Sequence, residues 1–352
     1  MHRSDDIANL FSRFGASAEH YQEIEPSYEY ADDRSAVLQA APVPAFSTAI
    51  QPPRAQMAAP ANALGALLAQ VRQQRQHLDP LQPQPDAGPK GPSRARVVAL
   101  LSGKGGVGRT TLTAGLACAL ERPNGRVLAI DLDPQNALAL HLGLGPQQAG
   151  IVEADEGAAN WQDYLRTGHA RTQCLAYGNA REDQQRRLEQ VLEQDSNWLA
   201  RHLAQLDLKA GDTVLIDTPT GASCYLRQVL QVADALLIVT LADAASYNSL
   251  QRLDRLLASH RQGSRAPVCR YLINLLDDQR SFSLDMAEIL RNQLGDQLLG
   301  TVHQDHQLGE ALAYERNPLA RGPSTRGCAE ILQIGAALDQ LLAHDTQEPI
   351  SP

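Results

Sequence analysis

The residue types best suited to chemistry lie in the segment SGKGGVGRTT, residues 102–111, which directly follows an apolar run. Gly103 and Gly108 are separated by four residues, and Thr110 follows two positions later. Glycines in such a loop permit backbone conformations that other residues avoid, so main-chain N–H groups can turn inward around a phosphate at the start of a helix. A threonine at position 110 is the usual magnesium ligand in this pattern. The segment therefore predicts a phosphate-binding P-loop.

The elements around this loop distinguish a P-loop from an ordinary glycine-rich turn. Apolar residues at helical spacing predict a helix over 110–120, and a second apolar strand is predicted over 127–130. Strand, glycine loop, helix and strand make a βαβ unit of the usual length, which favours the P-loop. One position departs from the common motif: Arg109 stands where the P-loop lysine is expected, and a lysine, Lys104, lies early in the loop.

Three aspartates that follow predicted buried strands form a second chemical feature. Asp131 and Asp133 come after the second predicted strand, and Asp217 follows the strand predicted at 213–216. Each carboxylate could simply cap the next helix or pair with a neighbour. In an open parallel sheet, however, the carboxyl ends of the strands border the ligand site, and carboxylates that share a site repel one another unless a cation joins them. Magnesium meets that need, with Thr110, Asp217 and Asp131 as its predicted ligands.

The order of these motifs resembles the MinD/ParA family of deviant Walker A ATPases. KGGVG followed by a basic residue and two threonines is similar to that family's loop, DLDPQ at 131–135 to its first switch, and DTP at 217–219 to its Walker B and second switch segment. Further similar segments are ADALLIVTLAD at 233–243, YLINLL at 271–276 and EALAYERNPLARGPST at 310–325. The resemblance covers residues 95–343 and implies an α/β fold with a doubly wound, mostly parallel sheet.

The resemblance also implies roles for individual residues. Lys104 would reach across a dimer to the nucleotide of the partner subunit, and Asp133 would position the attacking water, so these two are the implied catalytic residues. Asn274 stands where the family keeps an adenine-contacting asparagine. The implied nucleotide-binding residues are Gly103, Lys104, Gly105, Gly106, Val107, Gly108, Arg109, Thr110, Thr111 and Asn274. The implied cofactors are ATP and Mg²⁺.

Composition restricts the class of protein further. The 352 residues carry a formal net charge of −9, which disfavours a large nucleic-acid surface because phosphate backbones need clustered Lys and Arg. Five cysteines without a CxxC pair predict buried thiols rather than disulfides or a zinc site. His303 and His306 have the spacing of a metal pair, although polar residues near the site are the commoner interpretation. No signal peptide and no apolar run of membrane-spanning length occurs, which predicts a cytoplasmic protein.

A compositional boundary near residue 94 separates this region from an N-terminal extension that is predicted to be largely disordered. Eleven of the twenty prolines precede that point, which predicts an extended Ala/Pro-rich linker over residues 36–94. Within it, residues 61–78 are either a short amphipathic helix or helix-prone linker. Residues 1–35 carry eight acids and three arginines and are either a partner-docking helix or a disordered tail. Their apolar stripe consists of Ile7, Leu10, Phe11 and Phe14.

Both parts of the chain resemble proteins of bacterial cellulose synthesis. Residues 5–24 resemble small accessory proteins of the BcsP type, and the ATPase-like region, with its insert at 157–203, resembles BcsQ-type accessory ATPases. This implies a cytoplasmic ATPase that dimerises through ATP and assembles, positions or regulates an inner-membrane cellulose synthesis and secretion complex. Residues 1–35 would contact the accessory proteins of that complex. Because arginine and lysine are not equivalent at a tight phosphate site, Arg109 predicts slow hydrolysis.

Two other functions remain open. One is a ParA-like partition or positioning ATPase that uses DNA or a membrane as its track. The polar tail at 344–352 lacks the basic amphipathic helix by which MinD-like proteins hold membranes, and DNA tracking would need a basic patch on the dimer face. The other is a scaffold that binds nucleotide and does not hydrolyse it, which Arg109 favours and Asp133 opposes.

Overall fold

The computed structural model describes residues 95–258, 266–320, 322 and 324–344. The predicted docking segment at 1–35, the predicted linker at 36–94 and the predicted helix at 61–78 lie outside the described residues. The same is true of residues 345–352 in the predicted tail. The described part begins where the ATPase-like region is predicted to begin.

One eight-stranded sheet forms the centre of the described region. In chain order its strands are β1 (Arg96–Leu101), β2 (Val127–Asp131), β3 (Arg166–Thr167), β4 (Gln173–Leu175), β5 (Thr213–Asp217), β6 (Ala235–Leu241), β7 (Val268–Leu276) and β8 (Leu298–His303). In space their order is β3-β4-β2-β5-β1-β6-β7-β8. Every neighbouring pair is parallel except β3 with β4. The predicted mostly parallel α/β fold is confirmed.

The central strands are almost continuously apolar because both of their faces are covered. Along β1, Val97 and Leu101 point into one hydrophobic core, whereas Val98 and Leu100 point into the other. Helices lie over both faces, so the strand ends are the part of the sheet open to a ligand. At the carboxyl edge, the parallel register places Asp217 beside Leu100 on one side and beside Asp131 on the other.

Ten α-helices cover the sheet in the described residues. They are α1 (Arg109–Ala119), α2 (Leu138–His141), α3 (Ile151–Glu156), α4 (Glu182–Gln194), α5 (Trp198–Ala204), α6 (Cys224–Val232), α7 (Ala244–Leu257), α8 (Ser281–Leu294), α9 (His306–Glu310) and α10 (Arg326–His344). Helix α1 begins one residue earlier than the prediction of 110–120. The reason is that Gly108 adopts a left-handed conformation with φ 77°, so the helix begins directly after it.

The predicted insert at 157–203 folds around two buried tryptophans. Trp161 and Trp198 meet edge to face with their ring centroids 5.3 Å apart, and the His202 ring stacks on Trp161 at 4.8 Å. Both indoles are almost completely buried, which makes them the main anchors of this segment. The charged stretch of this insert forms α4, Glu182–Gln194.

The cysteines and the histidine pair have simple structural surroundings. All five cysteines are free thiols, but Cys118 and Cys269 are only partly buried, which corrects the prediction of five buried thiols. The His303 ring lies 2.7 Å from the Glu330 carboxylate. Among the described residues, no group of three or more His, Cys, Asp or Glu side chains has the arrangement of a metal site.

No helix within the described ranges combines the length and apolar character needed to cross a membrane.

Candidate functional site

The glycine loop connects β1 to α1 at the carboxyl edge of the sheet. Gly106 and Gly108 have φ angles of 74° and 77°, in the left-handed region that glycine adopts without strain. A methyl group built on Gly105 or Gly106 would have no other atom within 4 Å. The outer side of the loop is therefore open to a ligand, and the amino end of α1 directs its free backbone N–H groups and positive dipole toward the same place.

The opposite side of the loop is closely packed. A methyl on Gly103 would lie 2.7 Å from the Ser249 carbonyl oxygen, and one on Gly108 would lie 2.4 Å from Asn274 Nδ2. The Asn274 amide is 4 % exposed and donates a hydrogen bond of 2.8 Å to the Val107 carbonyl. Asn274 thus supports the loop backbone from below. The adenine contact implied for Asn274 stays a prediction.

Lys104 is paired within its own chain. Its ammonium lies 3.0 Å from Asp243 Oδ2, and both side chains are more than a third exposed. Asp243 also caps α7 by accepting the Ser246 backbone N–H at 2.6 Å. Although burial raises the pKa of Asp243, the hydrogen bonds from Ser246 and Lys104 hold it below 3.8. An exposed ion pair of this kind contributes at most about 1 kcal/mol, so Lys104 can leave it at little cost.

Arg109, in contrast, is buried within the site. Its side chain is 7 % exposed, and its guanidinium donates to Asp217 Oδ1 at 2.8 Å and to Asp133 Oδ2 at 2.6 Å. The third guanidinium nitrogen donates to Ser102 Oγ at 3.0 Å and to Thr220 Oγ1 at 3.2 Å. The arginine therefore joins the glycine loop to both segments that carry the predicted switch aspartates.

Thr110 and Asp217 are brought together as the sequence predicts. The Thr110 hydroxyl donates to Asp217 Oδ2 at 2.6 Å, and the Thr113 hydroxyl lies 3.2 Å from Oδ1 of the same carboxylate. Asp217 is fully buried at the end of β5. Burial raises the pKa of Asp217 even though Arg109 and Thr110 oppose the shift. The raised pKa of Asp217 thus comes from loss of solvation, which the pair with Arg109 offsets only in part.

Asp131, the third predicted metal ligand, makes different contacts from Thr110 and Asp217. It is fully buried, and its two oxygens accept backbone N–H groups of Asp133 at 2.9 Å and Leu138 at 3.0 Å. Burial and then repulsion from Asp217 raise the pKa of Asp131 well above 3.8. These contacts favour the capping interpretation of Asp131, which shapes the turn between β2 and α2. Thr111, also predicted, lies half-buried in the first turn of α1.

The residue set fits ATP with Mg²⁺ in most respects. The open glycine face, the adjoining amino end of α1, and the adjacent oxygens of Thr110 and Asp217 suit phosphate and a hard cation. Burial raises the pKa of both Asp131 and Asp217, because it removes the solvation of their charged forms. Arg109 departs from this picture, because it already pairs with both Asp133 and Asp217.

Four residues of the site were not predicted from the sequence: Ser102, Thr113, Thr220 and Asp243. Ser102 and Thr220 accept hydrogen bonds from the guanidinium, and Asp243 holds Lys104. Ser102 and Asp243 lie within sequence segments named above, Thr113 lies within the predicted helix, and Thr220 directly follows the DTP segment. These positions are the signal that could have identified them. Nothing in residue type or spacing distinguishes them from ordinary polar residues.

The two sides of the loop give a matched prediction for substitutions. Gly103→Ala should lower the melting temperature of the free protein, because the new methyl would clash with backbone that cannot move away cheaply. Gly105→Ala should leave the melting temperature within about 1 °C of the parent, since its methyl enters open space. A weaker affinity of Gly105→Ala for ATP would then report crowding of the ligand itself. Scanning calorimetry measures the melting temperatures of the two variants, and an ATP titration measures their affinities. Equal melting temperatures for the two variants would contradict the described packing.

A family model and two relatives match the region that contains the glycine loop and the sheet. The family model for the cellulose biosynthesis protein BcsQ matches residues 95–336. BcsQ of Salmonella typhimurium is 25 % identical over 257 residues, covering 72 % of this chain and 97 % of that protein. A septum site-determining protein MinD of Guillardia theta is 28 % identical over 234 residues, covering 63 % of this chain and 82 % of that protein.

A solved structure and a second family model extend the comparison. MinD from Pyrococcus horikoshii, solved with Mg-ADP, matches with a TM-score of 0.58 at 19 % identity, covering 72 % of this chain and all of that chain, and therefore shows the fold. Residues 2–34 match a family described as cellulose biosynthesis protein BcsR-like. This match supports the predicted resemblance of the N-terminal segment to small cellulose-synthesis proteins and gives it the BcsR-like description. With more than half of its length matched by one family model, the chain belongs to the BcsQ family of cellulose biosynthesis proteins.

Proposed function

We propose that this chain is an ATPase that dimerises upon binding ATP and that assembles, positions or regulates the bacterial cellulose synthesis and secretion complex. The BcsQ match supports the link to cellulose synthesis, and the MinD relative supports the ATPase class. The observation that carries the proposal is the open glycine loop in front of α1, with Thr110 Oγ1 2.6 Å from Asp217 Oδ2.

The loop and α1 bind the substrate in this proposal. Backbone N–H groups of residues 103–111 donate to the phosphates of ATP, and the positive end of the α1 dipole lies against them. Asn274 keeps the loop in shape through its hydrogen bond to Val107. Because the loop is shaped by glycines and supported from below, it needs little reorganisation when ATP binds.

Thr110 and Asp217 are the residues that would hold Mg²⁺, with Asp131 behind them. Asp217 is buried and its Oδ2 lies 2.6 Å from the Thr110 hydroxyl, so the two oxygens are adjacent, as ligands of one cation must be. When bound, Mg²⁺ supplies positive charge that stabilises the phosphates during phosphoryl transfer. The capping bonds of Asp131 make its part an indirect one, since both of its oxygens already accept backbone N–H groups.

Hydrolysis requires residues from two subunits. The partner subunit's Lys104 approaches the phosphates after leaving Asp243, which makes ATP part of the dimer interface. Asp133 orients the attacking water, and this requires that the carboxylate be released from Arg109. Phosphoryl transfer then depends on positioning and charge rather than on a covalent intermediate.

A second candidate, a nucleotide-binding scaffold with almost no turnover, is favoured by one observation. Arg109 Nη2 lies 2.6 Å from Asp133 Oδ2, so the carboxylate proposed to position water is already paired with the guanidinium. Phosphate release by the purified full chain separates the two candidates: sustained turnover supports the ATPase, and stable ATP-bound dimers without phosphate release support the scaffold. A ParA-like partition role is the remaining alternative, to which the match over residues 2–34 gives no support.

The proposed location is the cytoplasm, with recruitment to the inner-membrane cellulose machinery through residues 1–35. The BcsR-like match over residues 2–34 supports a cellulose-related role for this segment. Its stripe of Ile7, Leu10, Phe11 and Phe14 is the sequence feature that suggests docking. Residues 36–94 would tether the docking segment to the ATPase region and raise the local concentration of each for the other.

Removal of the docking segment tests this recruitment. Deleting residues 1–35 should leave ATP binding intact and abolish co-purification with cellulose synthase components, and Phe11→Ala with Phe14→Ala should do nearly the same. Phe46→Ala is the matched control, because it removes a phenylalanine from the predicted linker. Co-purification that survives the deletion, or a deletion that prevents soluble expression, would contradict the tethered docking model.

A further inference from the structure

The surroundings of Arg109 are unusual for the first residue of a P-loop helix. A buried guanidinium is unfavourable unless acceptors satisfy its N–H groups and negative charge compensates it. Here each of its three nitrogens has at least one acceptor, and two of the acceptors are carboxylates. The carboxylates belong to segments that lie 24 and 108 residues away in the sequence.

The shape of the arginine side chain matters for this arrangement. A guanidinium is a rigid planar fork, so Nε and a terminal nitrogen can bond two different carboxylates at the same time. Asp217 is approached at 2.8 Å and Asp133 at 2.6 Å by different nitrogens. A lysine ammonium is a compact point charge on a flexible stem and cannot hold both carboxylates in the same fixed geometry.

The charge balance points to a particular role. Asp131, Asp133 and Asp217 gather at one edge of the sheet, and Arg109 is the cation that contacts two of them. Carboxylates at such a position are ordinarily bridged by a divalent cation. The pair of Arg109 with Asp217 thus adjoins the two residues, Thr110 and Asp217, that would hold such a cation.

We infer that Arg109 is a positioning residue that serves as the built-in counter-ion of Asp133 and Asp217, in place of a divalent cation. The inference rests on the proposed function, since the cation is the one that accompanies ATP. In the nucleotide-free protein, Arg109 keeps the glycine loop, the β2 turn and the segment after β5 together without metal. A divalent cation held by Thr110 and Asp217 would share Asp217 with Arg109 and would take over part of its charge compensation.

Melting of the full-length protein without nucleotide tests this inference. Arg109→Gln leaves two neighbouring carboxylates without their cation, so in EDTA it should melt about 10 °C below the parent. Millimolar Mg²⁺ should restore at least half of that loss, whereas it should change the parent by only about 2 °C. If Arg109 only filled space, its substitution would lower the melting temperature and Mg²⁺ would not restore it.

Arg126→Gln is the matched control. Arg126 pairs with the buried carboxylate of Asp212 at 2.9 Å, away from the carboxyl edge of the sheet. Its loss should also destabilise the protein, but Mg²⁺ should not restore the stability, because only one carboxylate is left unpaired. Recovery of both variants in Mg²⁺, or of neither, would overturn the inference.

Arg109→Lys keeps the test decisive if the glutamine variant does not fold. A lysine cannot hold both carboxylates in the fixed geometry of the guanidinium, so nucleotide-free Arg109→Lys should bind Mn²⁺, measured by electron paramagnetic resonance, about tenfold more tightly than the parent. Equal Mn²⁺ affinities would overturn the inference. An ATP titration of the same samples separates the proposed function from the inferred role of Arg109. Absence of ATP binding in all of the samples would refute the proposed function. The melting and Mn²⁺ results would still decide the role of Arg109.

Discussion

Replacing Lys104 with alanine is expected to abolish the ATP-dependent dimer without disturbing the fold of the single chain. Within one chain the ammonium makes a half-exposed pair with Asp243, and loss of such a pair costs at most about 1 kcal/mol. Across the proposed dimer the same ammonium meets phosphate twice, once from each subunit. Two charge-assisted hydrogen bonds are worth about 3 kcal/mol or more, so the dimer should weaken by about a hundredfold.

Sedimentation with ATP and Mg²⁺ measures this effect. The parent should approach twice the single-chain mass of 38.1 kDa, and Lys104→Ala should remain near 38.1 kDa at the same concentration. Lys209→Ala is the matched control, since Lys209 is an exposed lysine distant from the glycine loop in the sequence. A Lys104→Ala protein that dimerises with ATP as strongly as the parent would exclude the shared nucleotide site.

Replacing Asp133 with asparagine is expected to reduce ATP turnover by at least about a hundredfold while ATP binding persists. Asparagine has nearly the same volume and still accepts a hydrogen bond, but it lacks the negative charge that orients and polarises water. The ATP-bound dimer should therefore become longer-lived, since hydrolysis is what releases the subunits. The pair with Arg109 at 2.6 Å is also weakened, so a modest fall in melting temperature should accompany the change.

Single-turnover phosphate release, followed on the same preparation as dimer lifetime, checks this expectation. Asp163→Asn is the control, because Asp163 is an exposed aspartate in the insert. Turnover by Asp133→Asn at the rate of the parent would show that another group positions the water. Phosphate release by the parent protein tests the alternative of a scaffold that binds ATP without hydrolysing it.

The sequence was sufficient for the elements that carry strong local patterns. The unbroken apolar runs of the central strands and the glycines between β1 and α1 predict the parallel sheet and its loop, because burial on both faces and left-handed backbone leave clear traces in residue type. The spacing of Thr110 from Gly108 likewise predicts a hydroxyl beside the carboxyl end of a strand. Asp217 meets this hydroxyl because β1 and β5 are neighbouring parallel strands.

The contacts that determine the behaviour of the site could not be predicted, because they join distant parts of the chain. Lys104 and Asp243 are 139 residues apart, and Asn274 is 167 residues from Val107. The sequence marks Arg109 as unusual but contains no sign that its guanidinium would bridge two aspartates. Asp131 shows the same difficulty, since a carboxylate after a buried strand reads equally as a metal ligand or a cap until its backbone partners are known.

Equilibrium dialysis of the purified full chain against labelled ATP in Mg²⁺ tests the central claim most directly. The open loop at 103–108, the amino end of α1 and the Thr110–Asp217 pair predict saturable binding of one ATP per chain. Competition by ADP and a weaker affinity for Gly105→Ala would assign that binding to the loop. A folded, monodisperse sample that binds no ATP at millimolar concentration would contradict the claim.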